Sequence, residues 1–267
     1  ASDGVDSYFG GADWDGLDVS TWNSFTNLTL NAAASVETVY LDSWQSVYGT
    51  TGNNSFDLTG VTSYSSDPTF YLNAGNDSFA GSEAAEWVYG EDGNDTLRGN
   101  GGNDTLDGGA DDDALYGGDG DDRLVSSDGA DSYSGGDGWD ELDTSLWHTF
   151  ANLTLDAAAS VETVYLDWWE IYGTSGDNSF DLTGITSYSV DPTFYLNAGN
   201  DSFLGAEAAE WVYGEAGNDT LHGNGGNDLL NGEDGDDALY GGDGDDWLQA
   251  SDGVDSYFGG ADWDGLD

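Results

Sequence analysis

The chain has no cysteine and no methionine, and its only basic residues apart from two histidines are Arg98 and Arg123. Without cysteine there is no disulfide framework, no thiolate metal site and no thiol nucleophile, a composition that suits an extracellular protein able to dispense with disulfides. With two arginines, no lysine and 54 acidic residues, no basic surface exists to displace counterions from phosphates, so non-specific nucleic-acid binding is excluded. No apolar stretch approaches the ~20 residues of a membrane span, and no N-terminal leader with an apolar centre is visible. Catalytic constellations are missing too: there is no lysine nucleophile, no G-x-S-x-G and no H-E-x-x-H. The two histidines occupy unrelated places, His148 standing where the other half of the chain has Asn23 and His222 where it has Arg98. The chain is expected not to be an enzyme.

The formal charge of −52 would drive a compact state apart unless cations were bound within it. Against simple disorder stand 11 Trp, 15 Tyr and 10 Phe in a strict apolar period. Six nonapeptides run without a break from Gly90 to Asp143: GEDGNDTLR, GNGGNDTLD, GGADDDALY, GGDGDDRLV, SSDGADSYS and GGDGWDELD. Their sixth position is always Asp, namely Asp95, Asp104, Asp113, Asp122, Asp131 and Asp140. Their eighth is always large and apolar, from Leu97 to Leu142. A second run over 214–267 carries Asp219, Asp228, Asp237, Asp246, Asp255 and Asp264 at the sixth position. Asp6 and Asp15 hold the same place in residues 1–18, and Asp77 and Asp201 hold it in weaker motifs upstream of each run. The motifs that follow those two offer Glu86 and Glu210 instead, where an ion is expected to be weak or absent. Asp13, Asp111 and Asp262 stand where a turn glycine is usual, which leaves the local turn geometry open.

Residues 1–18 recur letter for letter at 250–267, and DPTFYLNAGNDSF at 67–79 returns unchanged at 191–203. Two similar units therefore alternate, and both ends fall inside the repeat, as expected of a window on a longer tandem array. Five segments are read: 1–18, the end of a preceding run; 19–71, a spacer; 72–143, a run; 144–195, a spacer; and 196–267, a run. Short alternating stretches such as Val36–Leu41 and Ser55–Leu58 suggest that a solenoid continues through the spacers on side-chain packing rather than ions. GTTGNNSFDLTG at 49–60 and GTSGDNSFDLTG at 173–184 look like decayed turns, with Asn54 and Asn178 at the Asp position. Aromatics gather in the spacer, from Trp22, Phe25, Tyr40, Trp44 and Tyr48 to Phe56, Tyr64, Phe70 and Tyr71. They are read as core and stacked ladder, or else as an exposed patch for another chain, a carbohydrate or a cell surface, with Trp168–Trp169 the foremost candidate.

The nonapeptides resemble the RTX (haemolysin-type) calcium-binding repeat. The resemblance implies an all-β fold, a parallel β-roll or β-solenoid with two motifs per coil, and Ca²⁺ ions held between stacked turns. The stacked turns place Asp95 against Asp113, Asp104 against Asp122 and Asp113 against Asp131, and two carboxylates with several turn carbonyls form an all-oxygen cage suited to Ca²⁺ rather than Mg²⁺. The metal-ligand set expected is Asp6, Asp15, Asp77, Asp95, Asp104, Asp113, Asp122, Asp131, Asp140, Asp201, Asp219, Asp228, Asp237, Asp246, Asp255 and Asp264. Asp113, in two stacked pairs, is expected to matter more than Asp219 at the start of its run, and acid is expected to act like chelation. The functional expectation is a calcium-dependent structural β-solenoid that self-associates into an extracellular fibre, filament or surface layer, exported by type I secretion. The alternatives are the stalk of a giant secreted adhesin and the accessory module of a secreted enzyme.

Overall fold

The structure is a computed structural model, and it describes residues 5–7, 16–18, 27–29, 38–40, 46–145, 149–150, 152–155, 158–166 and 170–266. Every regular element among them is a β-strand, every strand pairing is parallel, and no helix long and apolar enough to cross a membrane occurs among them. The chain is an all-β parallel β-solenoid, as the repeat pattern predicts. It divides into two compact units, Ala1–Glu141 and Leu142–Asp267.

In the first unit the run is two-sided. Strands Ser78–Ala80, Thr96–Gly101, Ala114–Asp119 and Ser132–Asp137 build one face; Trp87–Asp92, Thr105–Ala110 and Arg123–Val125 build the other. The register joins like to like, with Leu97 opposite Leu115, Leu115 opposite Tyr133 and Leu106 opposite Leu124. Most of these strands enclose one apolar side chain between more exposed neighbours, as Leu97 lies between Thr96 and Arg98, because alternate residues of a strand face opposite sides. The second unit repeats this, with Leu221 opposite Leu239 and Leu230 opposite Leu248. A coil holding two such side chains buries only about 4–6 kcal/mol of apolar surface. That is far less than the cost of ordering eighteen residues.

The spacer coils are built differently. Between Ser55–Asp57 and Thr69–Tyr71 the chain makes a third short strand, Ser63–Tyr64, which pairs with Thr38–Tyr40. The second unit has the same arrangement, Ser187–Tyr188 against Thr163–Tyr165 between Ser179–Asp181 and Thr193–Tyr195. The coil thus has three sides, and Phe56, Leu58, Val61, Phe70 and Leu72 all point into it and are buried. Phe56, Phe70 and Phe79 pack with ring centroids 4.8–6.3 Å apart. Phe180, Phe194 and Phe203 repeat the cluster at 4.8–6.2 Å. The described spacer coils carry their own hydrophobic core.

The described spacer aromatics divide between the core and a stacked outer ladder. Phenylalanines fill the core, whereas tyrosines stack on the outer surface, Tyr48 on Tyr71 at 5.3 Å and Tyr71 on Tyr89 at 5.0 Å. Trp87 and Trp211 are each 51 % exposed. Trp22, Phe25, Trp44, His148 and Trp168–Trp169 lie outside the described residues. His222 and Arg98 share a role after all: both cover an outer tyrosine, His222 stacked on Tyr240 at 4.2 Å and the Arg98 guanidinium 4.6 Å from the Tyr116 ring centre. Burial lowers the pKa of that imidazole.

Candidate metal centre

The turns at each edge stack the sixth-position side chains into ladders, one link per coil. The Asp77 N–H donates to Asp95 Oδ1 at 2.7 Å, Asp95 N–H to Asp113 Oδ1 at 2.7 Å and Asp113 N–H to Asp131 Oδ1 at 2.9 Å. On the opposite edge Glu86 N–H donates to Asp104, Asp104 to Asp122 and Asp122 to Asp140, at 2.7–2.8 Å. In the second unit Asp201, Asp219, Asp237 and Asp255 form one ladder, and Glu210, Asp228, Asp246 and Asp264 the other. All but two of the sixteen aspartates expected from the sequence are thus brought into stacked register.

Asp6 is the exception among the described residues. It lies within the strand Val5–Ser7 opposite Leu28, not in a turn. Its motif meets a spacer coil instead of another nonapeptide, and the register slips by two residues, a slip that preserves the alternation of faces along the strand. Asp15 lies outside the described residues.

One carboxylate oxygen of each aspartate rung accepts this N–H, and in ten of the rungs the other accepts nothing. Asp77, Asp95, Asp104, Asp113, Asp122, Asp201, Asp219, Asp228, Asp237 and Asp246 each bury Oδ2 with no hydrogen-bonding partner. A buried, unpaired carboxylate oxygen is among the most expensive groups a protein can hold, and it demands a proton or a cation. What lies beside it is more oxygen. A methyl group built on Gly90 would stand 2.1 Å from Asp95 Oδ2 and 2.3 Å from the carbonyl oxygen of Gly108, one coil on. The same pairing recurs at Gly99 with Asp104 Oδ2 and Gly117 O, and at Gly223 with Asp228 Oδ2 and Gly241 O. Carboxylate and carbonyl oxygens therefore converge on one point in turn after turn, a donor set of hard oxygens that fits Ca²⁺. Among the described residues no three carboxylate or imidazole groups converge, so turn carbonyls must supply much of each cage.

Where a motif begins with glycine, that glycine keeps this space open. Gly99 does not need its glycine for backbone reasons, since its φ lies outside the left-handed region. Gly99→Ala is therefore expected to remove calcium binding between Asp104 and Asp122, its methyl group pressing on Asp104 Oδ2 and on the Gly117 carbonyl at 2.6 Å while its own φ stays allowed. Isothermal titration should show fewer ions bound; an unchanged stoichiometry would show that the space is not the site.

Desolvation governs the acidity of these groups. Burial pushes Asp95 and Asp219 up to about 7 and Asp113 up to about 8. Burial, aided by the facing Glu86 carboxylate, raises Asp104, and burial raises Glu86, Asp228 and Glu210. The remaining rungs Asp77, Asp122, Asp131, Asp201, Asp237 and Asp246 are raised for the same reason.

Several roles at these positions were not visible in the sequence. Glu86 and Glu210 begin their ladders: Glu86 is entirely buried, accepts from Tyr64 Oη at 2.7 Å and from Ser82, and places Oε2 beside Gly81. Glu210 is held likewise by Tyr188 Oη and the Ala206 N–H. The fifth positions form a second ladder running the other way. Asn103 Oδ1 accepts from Asp121 N–H, Asp121 Oδ1 from Trp139 N–H and Asp236 Oδ1 from Val254 N–H, at 2.9–3.2 Å. The recurrence of Asn or Asp at that position was the available signal. Asp131 closes its ladder, because its Oδ2 accepts from Tyr133 Oη at 3.0 Å and Ser127 Oγ at 3.2 Å. Its motif carries Ser126 where most of the others carry the open glycine. Asp111 and Asp262 adopt the left-handed conformation their glycine counterparts use, with φ of 76° and 74°, which Asp tolerates better than most residues.

A family model described as the RTX calcium-binding nonapeptide repeat matches the chain in four copies, at residues 80–115, 116–145, 204–239 and 231–266. Comparison with curated proteins gives no match.

Proposed function

Residues 80–145 and 204–266 belong to the RTX calcium-binding nonapeptide repeat family, whose repeats bind several calcium ions per domain, and from that premise we propose that the chain is a calcium-dependent structural β-solenoid of an extracellular fibre, filament or surface layer. The observation that carries the calcium dependence is the row of buried Oδ2 atoms without a protein partner. In this reading the runs at 72–143 and 196–267 hold the ions, and the spacers at 19–71 and 144–195 join them on hydrophobic cores. Asp95 and Asp113 with the Gly108 carbonyl, and the equivalent groups in each turn, would be the ligands. Ca²⁺ supplies the positive charge that lets these carboxylates stay ionised while buried. The chain's own residues do the remaining work: the N–H of one rung orients Oδ1 of the next, and the first glycine keeps the cage clear.

Near-identical reiteration favours a structural role, since 67–79 returns unchanged at 191–203 and 1–18 at 250–267. Sites that exist only when coils stack couple folding to the ion, which matches export as an unfolded chain into a calcium-rich exterior. Exposed Trp87 and Trp211 offer surface for self-association or for a carbohydrate or cell-surface contact. Electron microscopy of the native material in millimolar calcium and after chelation tests the proposal. Long filaments that dissolve on chelation are expected. Short rods joined to a globular head or to a cell envelope would replace it with an adhesin stalk or an enzyme's accessory module.

A further inference from the structure

The ladder at one edge of each unit does not begin with an aspartate but with an asparagine, in a turn that keeps the sixth-position link of the nonapeptides though not the left-handed backbone of their second and fourth residues. In GTTGNNSFD at 49–57 Asn54 stands at the sixth position. Its N–H donates to Asp77 Oδ1 at 2.6 Å, the same link that joins Asp77 to Asp95 one coil further on. The difference lies in the other side-chain atom. Asn54 Nδ2 donates toward the carbonyls of Thr50 at 3.3 Å, Gly52 at 2.5 Å and Leu72 at 3.3 Å, and to Asp77 Oδ1 at 3.0 Å. Four oxygens therefore surround one nitrogen.

That nitrogen sits where the other turns place the orphaned Oδ2. A methyl group built on Gly49 would meet the Leu72 carbonyl at 2.3 Å and Asn54 Nδ2 at 3.1 Å, just as one on Gly90 meets the Gly108 carbonyl and Asp95 Oδ2. The amide cannot be turned round. The Thr50 N–H and hydroxyl both reach Asn54 Oδ1 at 3.0 Å, and the N–H can only donate, so Nδ2 is the end that faces the oxygens. Asn178 repeats every element: Nδ2 faces the carbonyls of Thr174, Gly176 and Leu196 and Oδ1 of Asp201 at 2.6–3.3 Å, while Oδ1 accepts from the Thr174 N–H and hydroxyl.

We propose that Asn54 and Asn178 are built-in substitutes for calcium, amide plugs whose Nδ2–H bonds fill an oxygen cage that an aspartate at the same position would leave for an ion. Each plug makes the first rung of its ladder independent of calcium and ties the ion-dependent run to the spacer core of Phe56, Leu58 and Phe70, or of Phe180, Leu182 and Phe194. The spacer coil thereby persists when calcium is withdrawn and offers a formed edge on which the next coil stacks as calcium returns. The replacement of NH₂ by O⁻ reverses this: the cage becomes acceptor-only and takes a cation.

The inference rests on the calcium reading of the aspartate turns, and the experiment separates the two. Calcium stoichiometry is measured by isothermal titration on the full chain and on Asn54→Asp, Asn178→Asp and the double variant. Hydrogen exchange of strands Ser55–Asp57 and Ser179–Asp181 is followed in EGTA. One additional ion is expected in each single variant and two in the double. Protection of the spacer strands is expected to survive EGTA in the parent chain and to become calcium-dependent in each variant. A parent chain that binds no calcium would sink the reading of the aspartate turns. A parent chain that binds calcium, with variants of unchanged stoichiometry and unchanged protection in EGTA, would overturn the plug alone.

Discussion

Withdrawal of calcium at about pH 8 is expected to unfold the two nonapeptide runs, and acidification in the same chelator to restore part of them. The sign follows from burial. Asp95, Asp113 and Asp219 are raised to about 7–8 in the metal-free fold, against about 3.9 in an unfolded chain. A raised carboxyl pKa means that protonation favours the folded state. That contribution is fully present below about pH 4 and is lost as pH rises through 7–8. Each such group therefore opposes the metal-free fold at pH 8. Ca²⁺ removes the penalty without protons, so in millimolar calcium the fold should hold at pH 8, and calcium affinity should rise with pH as protons cease to compete. In this account acid and chelation part company: acid also displaces the ion, but it leaves neutral carboxyls that the interior tolerates. Circular dichroism in EGTA from pH 8 down to pH 5 should show β-structure returning. A steady loss of structure on acidification would contradict the account.

The second large effect concerns where along a ladder a rung is lost. Asp113 offers Oδ1 to the Asp95 N–H, gives its own N–H to Asp131 and buries Oδ2 beside Gly108, so it takes part in two stacked intervals. Asp113→Ala should remove two calcium ions and raise the calcium midpoint of folding by tenfold or more, a shift of ~1.4 kcal/mol for each factor of ten. Asp131→Ala should do less, because Asp131 closes its ladder and its Oδ2 is already held by Tyr133 and Ser127. Asp219, read from the sequence as a terminal rung, is an interior one, linked to Asp201 behind and Asp237 ahead. Asp219→Ala should therefore match Asp113→Ala, not fall short of it. Calcium titrations followed by tryptophan fluorescence give the ranking. Equal midpoints for Asp113→Ala and Asp131→Ala would dismiss the ladder as the unit of ion binding.

The nine-residue period made most of this legible. It fixes which aspartates stack, because a side chain that recurs every eighteen residues in a parallel solenoid returns to the same edge, and Asp95 does meet Asp113. It also fixes the core ladder of Leu97, Leu106, Leu115 and Leu124. The spacers were legible only as solenoid, not as three-sided coils. Their coils are longer, with Phe56 opposite Phe79 and Asn54 bonded to Asp77 across 23 residues, and no fixed period announces where the extra strand Ser63–Tyr64 falls. Glu86 was hard to place because its longer side chain needs Tyr64, a residue of that unannounced strand, to hold it. Asn54 could be seen at the Asp position, but not what its amide does. That depends on which end of the group the Thr50 N–H selects, and a threonine four residues earlier carries no periodic signal.

The central claim is that the buried Oδ2 atoms of the ladders are calcium ligands. The most direct test is a crystal structure grown in calcium, with anomalous difference peaks used to locate the ions. The account predicts a peak between each pair of stacked aspartate turns, bounded by Asp95 Oδ2, the Gly108 carbonyl and Asp113 in one case, and by their counterparts along both ladders, with none beside Asn54 or Asn178. Peaks confined to the exposed fifth-position carboxylates, or a folded array with protons alone between its aspartates, would contradict it.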